Sequence, residues 1–231
     1  EAKVTDLLTA IRPPEFLLTH PVTQSRIADA RSQAREYPRR VHEDSLECQL
    51  MRARVRLALA ETPARAVAEF RDQLDDGRTN MPETVRYGLA ISLLAAGRVD
   101  EAEDTLEPLL GPDQSLAYTL AEADIALTRG ETGAAIARLE SALRFTPDNL
   151  PLATKYAEAL NAARRHGDAQ AVLERLASAR PDDAQVWYEL AETAGLAGDI
   201  IAVHRARAEF FQLHGNLQNA LQHLRYALQL V

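Results

Sequence analysis

The chain has almost no lysine. Of its 26 basic residues only Lys3 and Lys155 are Lys. A composition so dominated by Arg reflects coding bias more than function. Cysteine is nearly absent too: Cys48 stands alone, so no intramolecular disulfide can form, and the redox compartment is left open. Runs of alternating β-branched and polar residues are missing, which excludes a sheet. No apolar stretch approaches the ~18–20 residues that a bilayer-spanning helix needs. Excess positive charge is missing as well. The net charge is −8, with 10 Lys and Arg against 8 Asp and Glu over residues 1–60, and 16 against 26 over residues 61–231. Phosphate neutralisation supplies most nucleic-acid affinity, so an acidic array of this kind is expected to bind no nucleic acid. The first residue is Glu1, with no Met and no signal-type apolar core. The chain is therefore expected to be a fragment or a processed product.

What is present is helical material and a repeat. Ala, Leu, Arg, Glu and Gln dominate, and all favour helices. Within residues 114–181, Ala135, Leu139 and Pro147 return as Ala169, Leu173 and Pro181, each 34 residues on. Gly130 is suited to a left-handed cap ending a first helix. Ala135 and Ala142 let a second helix approach closely, Leu139 and Leu143 fill the groove, and Pro147 halts the helix. A period near 34 with two short amphipathic helices per unit is the tetratricopeptide pattern. The expected fold is all-α, a superhelix of antiparallel helix pairs with an N-terminal helical extension. The expected division is 1–40, a domain tail and connecting helix, and 41–231, the repeat domain.

Taken in order, residues 1–12 place Val4, Leu7, Leu8 and Ile11 on one helix face, and Pro13-Pro14 stops that helix. A second helix is expected over 23–37 with Thr23 as N-cap. Repeat helices follow, with faces Leu46, Leu50, Ala53, Leu57, then Ala66, Phe70, Leu74, then Tyr87, Ala90, Ile91, Leu94, then Ala102, Leu106, Leu109. After the two central repeats come Trp187, Leu190, Ala191 and Ala194, then Val203, Ala206 and Phe210. The helix over 200–213 is expected to serve two repeats. The last helix is expected to pack through Leu217, Ala220, Leu221, Leu224 and Leu228. Solenoid ends need caps, and the helix at 23–37 and the last helix are the candidates.

One stretch is more specific. Phe16-Leu17-Leu18-Thr19-His20-Pro21, followed after two residues by Gln24-Ser25-Arg26-Ile27, resembles the end of the peptidase domain in membrane-associated zinc metallopeptidases of the HtpX and BepA kind. In BepA-type members a tetratricopeptide domain follows, as here. The resemblance implies a non-catalytic interaction domain of a periplasmic metallopeptidase and chaperone, peripheral to the outer membrane. The implied partners are unfolded or misassembled outer-membrane proteins, the β-barrel assembly machinery, and the protein's own peptidase domain. It implies zinc in the intact protein, bound by an upstream H-E-x-x-H helix, and no cofactor in this chain. That motif places two His one turn apart on one metal. Here His42-Glu43-Asp44-Ser45-Leu46 ends in Leu46, so it cannot form the site. His20 has two readings: a turn histidine bonded to backbone, or a residue approaching the zinc of the peptidase domain. The other reading of the chain is a freestanding repeat scaffold of the envelope. The sequence upstream of Glu1 decides between them.

First helices of stacked pairs are expected to line a concave groove. Tyr87, Ile91, Asp124, Leu127, Lys155, Glu158, Asn161, Tyr188 and Glu192 are the expected exposed, protein-binding positions. A clamp for a peptide carboxylate is not expected, because Lys155 is the only Lys in the repeats. No catalytic constellation is expected either: there is no Gly-rich phosphate loop, and the six His are scattered.

Overall fold

The computed structural model describes residues 23–37, 44–77, 79–111 and 115–231. The chain divides into two units, Glu1–Asp44 and Ser45–Val231. The stretch 1–12, the Pro13-Pro14 break, His20 and His42 lie outside the described residues. In the first unit the described element is helix α1, Thr23–Glu36. The second unit holds the rest: α2 (Leu46–Leu59), α3 (Pro63–Asp75), α4 (Pro82–Ala95), α5 (Val99–Leu106), α6 (Leu116–Thr128), α7 (Thr132–Leu143), α8 (Leu150–Ala162), α9 (His166–Ala179), α10 (Ala184–Ala197), α11 (Ile200–Leu213) and α12 (Leu217–Gln229). A 3-10 turn, Glu107–Leu109, extends α5. Among the described residues there is no strand, and the all-α helix-pair solenoid is the fold.

Local chemistry explains where the helices start and stop. Ser45, Thr62, Ser115, Asn149, Asp183, Asp199 and Asn216 each accept a backbone N–H of the first turn through the side chain. Pro63 and Pro82 open α3 and α4, where their missing N–H is no loss. The tight turns after α4, α6, α8, α10 and α11 repeat one geometry. The N–H of Arg98, Glu131, Arg165, Asp199 and Asn216 donates to the carbonyl of Leu93, Ala126, Leu160, Ala194 and Phe211, at 2.8–2.9 Å. The residue before each of them has positive φ: Gly97, Gly130, Arg164, Gly198 and Gly215. This is the Schellman ending of a helix. Four of the five turns use Gly, as a left-handed residue favours, and the other forces Arg164 to φ 59°.

The core is a continuous seam of small and branched residues. Ala102, Ala135, Ala169, Leu139 and Leu173 are all fully or almost fully buried, at the small-and-large positions that the period predicts. One buried cluster joins α2 to α6 around Phe70, Tyr87, Leu93 and Leu106. Another joins α6 to α11 around Leu139, Leu152, Leu160 and Leu173. Helix α6 serves both, with Ala121 and Ile125 in the first and Ala123 and Ala126 in the second. The final helix meets the expectation only at Ala220. Ala220 and Ala227 are its buried residues, whereas Leu217, Leu221, Leu224 and Leu228 face solvent. The two alanines lie seven residues apart and let α12 sit close against α11, which turns the leucines outward. Leucine content alone therefore misassigned this helix's buried face.

Candidate functional site

Each first helix packs on the first helix of the next pair: α2 on α4, α4 on α6, α6 on α8, α8 on α10. Successive second helices have no comparable packing among the described residues. Within the second unit, the first helices therefore form the inner surface of a curved stack.

The expected site residues recur on this surface in register. Ile91, Asp124, Glu158 and Glu192 occupy one position of four successive first helices, at offsets of 33, 34 and 34 residues. Leu127 and Asn161 share a second position, and Tyr87 and Tyr188 a third. The structure gives most of them a neighbouring helix as partner. Lys155 Nζ lies 2.7 Å from Asp124 Oδ1 on α6 and 2.5 Å from Glu158 Oε2 on its own helix. Burial alone would lower the Lys155 pKa, but the two carboxylates outweigh it and the net direction is upward. Asn161 Nδ2 donates to Thr193 Oγ1 of α10 at 2.9 Å, and its Oδ1 meets His166 Nδ1 at 3.0 Å. Glu192 pairs with Arg207 of α11. The same guanidinium lies 5.4 Å from the Tyr188 ring centre, and Tyr188 packs against Phe210 at 5.7 Å.

Tyr87 corrects the expectation. It is 0% exposed, not a groove residue. Helix α2 lies along α4, so Arg54 Nη1 donates to Tyr87 Oη at 2.8 Å, and the Tyr118 ring stands 5.6 Å away. Burial pushes the Tyr87 phenol pKa up, against the pull of Arg54. Its counterpart Tyr188 has no such cover and is 37% exposed. Ile91 and Leu127 are half-buried, packed against the cores, while Glu158 and Glu192 are exposed. The groove is thus narrower than the sequence implied. It is an acidic line, Asp124, Glu158 and Glu192, with Tyr188 beside it and Lys155 and Arg207 already engaged. Because both cations hold carboxylates, neither is free to clamp a peptide carboxylate.

Sequence reasoning missed the ties that join one first helix to the next, Arg54 to Tyr87 and Asn161 to Thr193. The signal was available: polar residues inside otherwise apolar first helices need partners. Among the described residues no group of three His, Cys, Asp or Glu is placed to hold an ion. His204 and His223 meet, Nδ1 to Nδ1 at 3.0 Å, as a hydrogen-bonded pair holding α12 to α11. No helix of the described residues is long and apolar enough to cross a membrane.

Residues 126–192 match the tetratricopeptide repeat family. The chain is 32% identical over 217 residues to the beta-barrel assembly-enhancing protease of Escherichia coli K12, covering 94% of this chain and 44% of that protein. A relative from Yersinia pestis is 32% identical over 91% of the chain and 43% of its own length. A putative one from Vibrio cholerae is 33% identical over 96% and 46%. The chain thus spans less than half the length of these relatives. Among solved structures, a thermophilic TPR protein of Thermus thermophilus aligns with TM-score 0.59 at 17% identity, over 80% of this chain and 100% of its own. YrrB, a TPR protein with an unusual peptide-binding site, aligns at 0.50 and 14%, over 86% and 97%. At those identities the likeness establishes the fold alone.

Proposed function

Because this chain is a tetratricopeptide interaction array related along 94% of its length to beta-barrel assembly-enhancing proteases, we propose that it serves the same task in the bacterial periplasm. In this reading the array is the non-catalytic part of a zinc metallopeptidase. It holds unfolded or misassembled outer-membrane proteins, or the β-barrel assembly machinery, near a peptidase domain that carries the zinc. Among the described residues none is grouped to supply that zinc site, so no hydrolytic step is assigned to them. The observation that carries the binding proposal is the repeated acidic line on the inner helices, flanked by the half-exposed ring of Tyr188. Aromatic side chains in such settings carry much of an interface's energy. Asp124, Glu158 and Glu192 are already paired with Lys155 and Arg207, and the acceptor sites they keep favour a segment with accessible backbone N–H groups.

The test is binding of an unfolded outer-membrane protein and of the assembly machinery, measured separately. Tyr188→Ala and the pair Glu158→Gln with Glu192→Gln are expected to weaken one of them at least several-fold while the melting temperature holds. Arg144→Ala, on the exposed end of α7, is the control and is expected to change nothing. Wild-type affinity in all the first-helix variants would refute the assignment.

A further inference from the structure

We propose that the outer face of α12 is a self-association surface, on which a second copy of this chain docks through its own α12. The face is a row of leucines, Leu217, Leu221, Leu224 and Leu228, spaced 4, 3 and 4 residues apart and between 42% and 76% exposed. Within the second unit no other described helix covers it. The spacing is the heptad a/d pattern, which places one continuous apolar seam on a helix and is satisfied by another helix carrying the same seam. Helix α12 is the last described helix of the array, and its outward face is apolar rather than polar.

Charge selects the occupant. The chain carries a net charge of −8, so two copies repel each other on average. Helix α5 carries Asp100, Glu101, Glu103 and Asp104, partly offset by Arg71, Arg98 and Arg129. Helix α12 carries no carboxylate, and Arg225 is its only permanently charged residue; Gln218, Gln222 and Gln229 flank the seam. Two copies can therefore approach there without the repulsion that separates them elsewhere. An antiparallel two-fold pairing sets Leu221 against Leu224 of the second copy, and the contact is self-complementary and closed. The row presents on the order of 400 Å² of apolar surface per copy, within the range at which an exposed patch marks an interaction site. Two such faces fall short of the area of a permanent dimer, so the association is weak and reversible.

A second apolar row provides the competing geometry. On α2, Met51, Val55 and Leu59 are also exposed. Pairing of that face with α12 of another copy would be heterologous and would build open chains of molecules. Growth beyond two copies would mark that geometry and separate it from the closed two-fold pairing.

Sedimentation equilibrium of the 231-residue chain from about 5 to about 200 μM spans the range expected of a weak interface. The wild type is expected to shift from monomer toward dimer and stop there. Leu221→Gln with Leu224→Gln is expected to weaken dimerisation at least tenfold, and Val55→Gln with Leu59→Gln to leave it unchanged. The four leucines are solvent-exposed, so circular dichroism should show an unaltered fold. Should the central pair disturb folding, Leu217→Gln with Leu228→Gln at the ends of the row makes the same test. A wild type that stays monomeric to the top concentration, assemblies that grow beyond two copies, or loss of dimer in the α2 variant rather than the α12 variant would overturn the proposal.

Discussion

Gly88 offers a sharp test of the packing. It lies within α4, where the ring of Phe70 from α3 sits directly on the helix. A Cβ built on Gly88 would stand 2.5 Å from Phe70 Cζ and 2.8 Å from Cδ1, closer than real side chains approach. The ring has little room to retreat: Phe70 is 1% exposed, and the Arg56 guanidinium lies 4.1 Å from its centre on another side. Overpacking of this kind costs about 1–3 kcal/mol, and the upper part of that range applies to a confined ring. Replacing Gly by Ala inside a helix returns about 1 kcal/mol. The net effect of Gly88→Ala is a loss of about 1–2 kcal/mol, which lowers Tm by about 2–8 °C in a chain of this size. The assay is thermal unfolding followed by circular dichroism, with Gly133→Ala as comparison, since a Cβ there meets nothing within 4 Å. In a Phe70→Leu background the penalty of Gly88→Ala should shrink, because the two sites are in contact. A Gly88→Ala chain melting at or above wild type would show that the ring is not confined.

Arg164→Gly should raise stability by about 0.5–1 kcal/mol in urea titration, because the four equivalent turns use Gly and Arg164 is held at φ 59°. Ala135→Leu should lower it by about 1–3 kcal/mol, since Ala135 is fully buried between helices; an unchanged midpoint would contradict that packing. Acid should loosen the last helix. Burial, with His204 and Arg207 nearby, lowers the His223 pKa, so the unfolded chain binds protons more readily than the folded one. Stability from this group is complete above the unfolded imidazole pKa and is lost as pH falls toward the lower, folded one. Hydrogen exchange in α12 should therefore quicken between about pH 8 and about pH 5, and less so in His223→Gln.

The sequence disclosed the architecture because the repeat is written in residue size. Ala135 and Ala169, or Leu139 and Leu173, are small or large for steric reasons that survive without any knowledge of the fold. Gly97, Gly130, Gly198 and Gly215 declare their turns, whereas the remaining one carries Arg164 and was invisible, since its conformation is imposed by the flanking helices. The groove was legible in register but not in exposure. Tyr87 and Tyr188 occupy one repeat position, yet the first is covered by α2 and the second is open. A single-helix pattern cannot reveal what a neighbouring pair covers. On α12, period alone allowed either the alanine or the leucine face to be buried, and the close approach to α11 decided for the alanines.

Whether partners are held on the inner first helices can be read by site-specific crosslinking. A photoreactive amino acid is placed singly at 158, 188 and 192, and at Phe145, an exposed residue beyond the end of α7. After irradiation with an unfolded outer-membrane protein and with the assembly machinery, crosslinks are expected from the first three positions and none from the fourth. Crosslinks confined to position 145 would contradict binding on the inner surface.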